Sequence, residues 1–251
     1  MSVLTPAVEP AAEARDAPTA RRRWLEPAAV TLYFTALTVV MTWPWTLYIA
    51  DGINPFGDVV LQMAILRWDA HALTTNPASL FEAPFFYPYA HSIAYSEHHL
   101  GQALTALPLL LATGNPALAY NFNLLLSFVL TGAFTYLLVR DLTGSRAGAL
   151  LAGTAFAFAP FRFMHTGHLH MLSTQWFPLA LWAVFRLSRG PERRGLYLTI
   201  GAFALVMMGL SSVYYTMFMV VVLGLYAVWR LWTTWHSGEL RAWWATRLRD
   251  K

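Results

Sequence analysis

Two short stretches hold most of the side chains able to do chemistry. Between Asp51 and His99 lie five acids (Asp51, Asp58, Asp69, Glu82, Glu97), four histidines (His71, His91, His98, His99) and one arginine, Arg67. The stretch from Arg162 to His170 adds Arg162, His165, His168 and His170. Gly57-Asp58 sets a carboxylate on a flexible hinge where a helix is expected to open, and helix N-terminal amides favour its ionised form. Such a carboxylate can be a general base or a metal ligand, or can simply cap the helix. Glu97 and His98 can bind a divalent metal through a neutral imidazole, hold a phosphate through a protonated one, or mark a hydrated helix start. His165, His168 and His170 need a carboxylate from the first stretch to complete a metal site; otherwise they hydrogen-bond to lipid or backbone. Arg67 and Arg162 can each grip a phosphate bidentately or pair with a neighbouring acid, Asp58 or Asp69 in the case of Arg67.

These stretches interrupt an otherwise apolar chain. Hydrophobic residues make up 57% of it and charged residues only 12%, far from the roughly 25% charged that soluble domains carry. Most of the helices expected below have no polar face, which excludes a water-soluble helical core. The absence of cysteine excludes disulfides, thiolate zinc sites and thiol nucleophiles. There is no phosphate-cradling glycine loop and no serine elbow. Of the 17 Lys and Arg, only Arg67 and Arg162 fall within the two stretches; the others flank apolar runs and read as orientation signals rather than a nucleic-acid surface.

Taken in order, residues 1–23 read as a disordered cytoplasmic tail ending in Arg21-Arg22-Arg23. An apolar run from Ala28 to Ala50 exceeds the roughly 20 residues a bilayer requires, and Trp43-Pro44-Trp45 adds a kink and an interfacial belt. Residues 51–99 form a first outer loop containing an interfacial helix from Asp58 to Leu73, with Asp58, Gln62 and Asp69 on one stripe at about 100° per residue. Leu100 to Thr113 is a short apolar segment ended by Gly114-Asn115-Pro116 and followed by a longer one to Val139. Arg140 and Arg146 stay inside if the pair makes one net crossing, with the first segment dipping in from the outer face. Ala147 to Pro160 leads outward to a second outer loop, 161–173; Gln175 to Leu187 returns to Arg186, Arg189, Arg193 and Arg194. A hairpin of Gly195–Leu210 and Val213–Arg230 follows, and 233–251 is a basic, aromatic cytoplasmic tail. The expected fold class is all-α: a polytopic transmembrane bundle of about six to seven spans or part-spans over 24–232, with a large outer loop after the first span. That parity puts seven of the eight histidines on the outer side, so both outer loops are expected to converge on one site.

The order of features resembles a known family. An arginine-flanked first span precedes Gly57-Asp58, Phe85-Phe86-Tyr87-Pro88-Tyr89 and Gly101-Gln102; then come Tyr136 to Ser145, Ala157-Phe158-Ala159-Pro160 and Gln175-Trp176-Phe177-Pro178-Leu179. Across residues 28–230 the series resembles the GT-C superfamily of membrane glycosyltransferases, and within it bacterial membrane proteins of the YfhO type. The resemblance implies a multi-pass protein of the bacterial inner membrane, N-terminus cytoplasmic. It implies transfer of a sugar from a polyprenyl-phosphate carrier to a glycan, lipid or protein acceptor on the outer face. The key acid maps onto Asp58. Many relatives carry two adjacent acids where Val59 follows here, so a second catalytic acid falls to Asp69 or Glu97. Arg67, His98, Arg162, His168 and His170 are the candidates for the carrier phosphate, and a divalent metal is the one cofactor to test. The chain is short for that superfamily, which fits a truncated product. The rival reading is a non-catalytic membrane partner, or a lipid or polysaccharide transporter of the same fold. Against transport, the spans hold almost no ionisable residues.

Overall fold

The computed structural model describes residues 20–53 and 57–236, with side chains from residue 24. Expectations that fall on residues 1–19, on Asn54, Pro55 and Phe56, and on 237–251 lie outside the described residues. Among the described residues the regular structure is entirely helical. Helix α1 is Ala20–Met41, α2 Val59–Thr75, α3 Leu100–Thr113, α4 Pro116–Thr143 and α5 Arg146–Ala157. Two short helices, α6 Pro160–Met164 and α7 Leu169–Leu172, lead into α8 Trp176–Ser188, α9 Arg194–Ser211 and α10 Val213–His236.

Local chemistry sets these bounds. Asn115 caps α4 by accepting from the Leu118 amide at 3.1 Å, Pro116 occupies the first turn, and Gly144 ends the helix with a positive φ of 72°. Ser145 then caps α5 through the Gly148 amide at 3.1 Å. The first apolar run breaks at Trp43-Pro44-Trp45, where the sequence places a kink. Pro44 lacks an amide proton to continue α1, which ends at Met41, and Trp45–Tyr48 forms a 3-10 turn. Asn121 holds that turn, donating to the Ile49 and Gly52 carbonyls at 2.9 and 2.7 Å and accepting from Trp45 Nε1 at 3.1 Å.

Among the described residues five segments are long and apolar enough to cross a membrane: Trp24–Met41, Pro116–Thr143, Arg146–Met164, Arg194–Ser211 and Val213–His236. Burial separates their roles. In α4 44% of the most apolar window is buried, whereas in α10 the figure is 6%. The bare apolar flank of α10 would cost about 25 cal/mol per Å² in water and little in hydrocarbon, so a lipid bilayer is the environment the fold suits.

Helix α4 is the central post, with α1, α5 and α8 packed along it. The Phe34 ring sits fully buried against Gly132 and Gly153, where any Cβ would collide with it, so α1, α4 and α5 approach closely. The 14 residues of α3 pair with the first half of the 28-residue α4, Thr105 donating to Asn123 Oδ1 at 2.5 Å. At one end of the bundle Glu26 accepts from Tyr136 Oη at 2.6 Å, Arg140 Nε at 3.2 Å and Arg146 Nη2 at 2.6 Å. Asp141 takes Arg186 and Trp182 at the same end of α4. The opposite end carries the polar cavity.

Candidate active site

The cavity is assembled by one buried amide. Gln62, 3% exposed, donates through Nε2 to the Gly167 carbonyl at 2.9 Å and accepts from the Leu169 amide at 2.6 Å. Both arms of the side chain are thus used to clamp α2 against the turn that carries His168. Gly57 makes the close approach possible. Its φ is +81°, and a Cβ there would lie 3.0 Å from the His168 ring and 3.2 Å from Gly167 Cα.

This junction places the Asp58 carboxylate 3.9 Å from His168 Nε2. Asp58 holds the N-cap position of α2, yet its side chain makes no capping hydrogen bond and is 65% exposed. The carboxylate is free to meet a ligand rather than spent on the helix. Asp58, Glu97, His99, His168, His170 and Tyr214 line a cavity of about 460 Å³. The His99 and His170 rings stack with centroids 5.7 Å apart, and His170 stacks on Tyr214 at 6.1 Å, forming an aromatic wall.

The electrostatics are those of a half-desolvated polar pocket. Burial raises the Glu97 carboxyl above the ordinary range, partly offset by the Val213 amide, and its Oε2 has no hydrogen-bond partner. Burial, followed by repulsion from His170 and His98, holds His99 down to about 3. His170 falls to about 4 through burial and His168, with Asp58 pulling the other way. His99 and His170 are therefore neutral near pH 7, and each has an Nδ1 without a partner. Neutral imidazoles can donate or accept hydrogen bonds or ligate, but add no positive charge. Among the described residues no three His, Asp or Glu side chains come together in a way that could hold a metal ion.

Asp58, Glu97, His168 and His170 thus share one cavity; the remaining candidates do not line it. Asp69 lies fully buried on α2, its oxygens without hydrogen-bond partners of good geometry. Burial lifts it to about 7, with the His99 backbone amide offsetting part of that rise. His98 turns away to meet the Phe81 ring edge, and its Nδ1 accepts from the Leu100 amide at 3.3 Å. Arg67 donates to the Gly114 carbonyl at 3.1 Å beside a different groove. Arg162 is only 2% exposed; it donates to the Leu172 carbonyl and Ser127 Oγ, each at 2.9 Å, and to Thr174 Oγ1, under the Phe128 ring. His165 stacks on Phe161 at 4.0 Å, next to the cavity but outside its lining. Sequence reasoning set His98 ahead of its neighbour His99 and missed Gln62 and Tyr214 as site residues. Gln62 carried a usable signal, sharing a helical stripe with Asp58.

A model of the family DUF6311, described as a domain of unknown function, matches residues 79–247. The matched span includes Glu97, His99, His168 and His170 and begins beyond Asp58 and α2. No curated protein and no solved structure matches the chain.

Proposed function

The chain belongs to the DUF6311 family, and from its cavity we propose that it is a membrane glycosyltransferase of the GT-C type. It transfers a sugar from a polyprenyl-phosphate carrier to an acceptor hydroxyl on a glycan, lipid or protein. The observation that carries this reading is the uncapped Asp58 carboxylate, opening on a polar cavity beside His168.

In this mechanism Asp58 takes the proton of the acceptor hydroxyl, whose oxygen bonds to the anomeric carbon. The bond from that carbon to the carrier phosphate breaks, and the phosphate leaves with the electron pair. His168 orients Asp58, while His170 and His99 donate hydrogen bonds to the departing oxygens from fixed positions, the kind of preorganisation that supplies much of catalysis. Glu97, held toward its protonated form by burial, can donate to a sugar or phosphate oxygen. Arg67 and Arg162 take no part in this step, because neither lines the cavity.

The proposed topology has six crossings: α1, α4, α5 with α6, α8, α9 and α10. Both termini are cytoplasmic in a bacterial inner membrane, and the cavity faces outward. Its support is the arginine distribution, since Arg140, Arg146 and Arg186 pair with acids at the end remote from the cavity. Helix α8, at 13 residues, spans about 20 Å and crosses where the bilayer thins. Helix α3 makes no crossing.

Asp58→Asn is expected to abolish sugar transfer to the envelope acceptor while membrane abundance stays at the wild-type level. Full retained transfer overturns the assignment. The absence of an acid next to Asp58, where Val59 stands buried, favours a second reading: a subunit that binds the lipid-linked sugar without reacting it. Release of carrier phosphate by the purified protein, given donor and acceptor, separates the two.

A further inference from the structure

A second groove, of about 490 Å³, runs along the flank of α2 turned away from Asp58. At about 100° per residue, Arg67, His71 and Thr74 fall on the far side of the helix from Asp58 and Gln62. The groove's walls are the Trp68 and Phe85 rings with Leu110 and Leu111 of α3. The Trp68 ring is fixed by its Nε1, which donates to the Leu80 carbonyl at 2.8 Å, and His71 tilts against it at 5.6 Å.

Arg67 is the single Lys or Arg between Arg23 and Arg140. Among the described residues it has no ion-pair partner, and no acid lines the groove. A hydrogen bond from Nη1 to the Gly114 carbonyl at 3.1 Å anchors one arm at the end of α3. A guanidinium carries five N–H donors, so Arg67, which lines the groove, keeps donors to offer a ligand there. The site therefore pairs one uncompensated, anchored cation with an aromatic and aliphatic trough. Its chemical complement is an amphiphile with an anionic head and a hydrocarbon body. Among the described residues five segments are long and apolar enough to cross a membrane, and an anionic phospholipid is a membrane amphiphile of that description.

We propose that this groove binds an anionic membrane phospholipid, with the headgroup phosphate on Arg67 and His71 and the first acyl carbons along Trp68, Phe85, Leu110 and Leu111. The assignment is independent of the reaction at Asp58. Native mass spectrometry of the detergent-purified full chain, titrated with phosphatidylglycerol, phosphatidylcholine and inorganic phosphate, tests it. Phosphatidylglycerol is expected to remain bound and the other two to bind at least about tenfold more weakly. Arg67→Gln should lower phosphatidylglycerol retention about tenfold. Leu111→Glu, at a 62% exposed position, should lower it similarly at wild-type purified yield, while Arg230→Gln on the exposed flank of α10 should leave it unchanged. Equal retention of phosphatidylcholine, wild-type retention by Arg67→Gln, or displacement by free phosphate or by polyprenyl phosphate at equal concentration overturns the proposal.

Discussion

Asp58 and His168 face each other across 3.9 Å, although they are far apart in sequence, and the glycine before Asp58 sets that distance. Gly57 has a φ of +81°, and its missing Cβ leaves room for the His168 ring. A side chain at this position must accept left-handed backbone, which costs about 1–2 kcal/mol, and must also push His168 aside. Gly57→Ala is expected to destabilise the protein by about that amount and to reduce transfer more than the stability loss explains, because the imidazole moves. Transfer assays alongside thermal unfolding in detergent check both; an unchanged transfer rate would remove Gly57 from the positioning machinery.

Gln62 is predicted to matter as a clamp rather than as a reactant. Gln62→Leu keeps the bulk but leaves the buried Gly167 carbonyl and Leu169 amide without partners, each orphaned group costing about 1–3 kcal/mol. The midpoint of thermal unfolding should fall, and limited proteolysis should open the 165–170 turn before the rest of the chain. A variant with wild-type resistance at that turn would mean that the two stretches are held together elsewhere.

Arg162 is expected to act on stability. Its guanidinium ties the Leu172 carbonyl, Ser127 and Thr174 together, and among the described residues it has no ion-pair partner. Arg162→Met should cost about 1.5–3 kcal/mol through the loss of its charge-assisted hydrogen bonds, since Ser127, Thr174 and the Leu172 carbonyl each keep another partner. If Arg162→Met instead folds with wild-type stability and loses transfer alone, Arg162 belongs to the reaction after all.

The helices and half of the cavity were legible because an apolar chain makes its exceptions conspicuous. Gly114-Asn115-Pro116 and Gly144-Ser145 announced stops and starts that the caps realise. Asp58, Glu97, His168 and His170 were found as polar groups with no apolar reason to be there. The same logic misled at Arg162, because an arginine in an apolar chain can also serve buried carbonyls and hydroxyls, and composition does not separate that use from phosphate binding. His98 and His99 show a second limit. Adjacent residues at a helix start point to different faces, and only packing against His170 and Phe81 decides which turns inward. Tyr214 gave no signal, being one more aromatic at the start of an apolar helix.

The buried pair of Asp69 and His99 predicts an unusual pH dependence of stability, because the two groups act with opposite sign in one window. Asp69 is held at about 7 in the fold against roughly 3.9 in the unfolded chain. The folded form therefore binds the extra proton, and stability falls as pH rises from about 4 to 7. His99 is held at about 3 and His170 at about 4, against roughly 6.5 unfolded. There the unfolded form binds the extra protons, and stability is lost as pH falls below about 6.5. Between about pH 4 and 6.5 the Asp69 contribution cancels that of one histidine, so the wild-type midpoint should decline only gently with acid. Asp69→Asn removes the opposing slope: it should steepen the acid loss and raise the midpoint above wild type at pH 8. His99→Gln should flatten the acid side. Thermal unfolding in detergent at steps between pH 4.5 and 8 reads both, and a parallel pH profile for wild type and Asp69→Asn would show that Asp69 is ionised in the folded protein throughout.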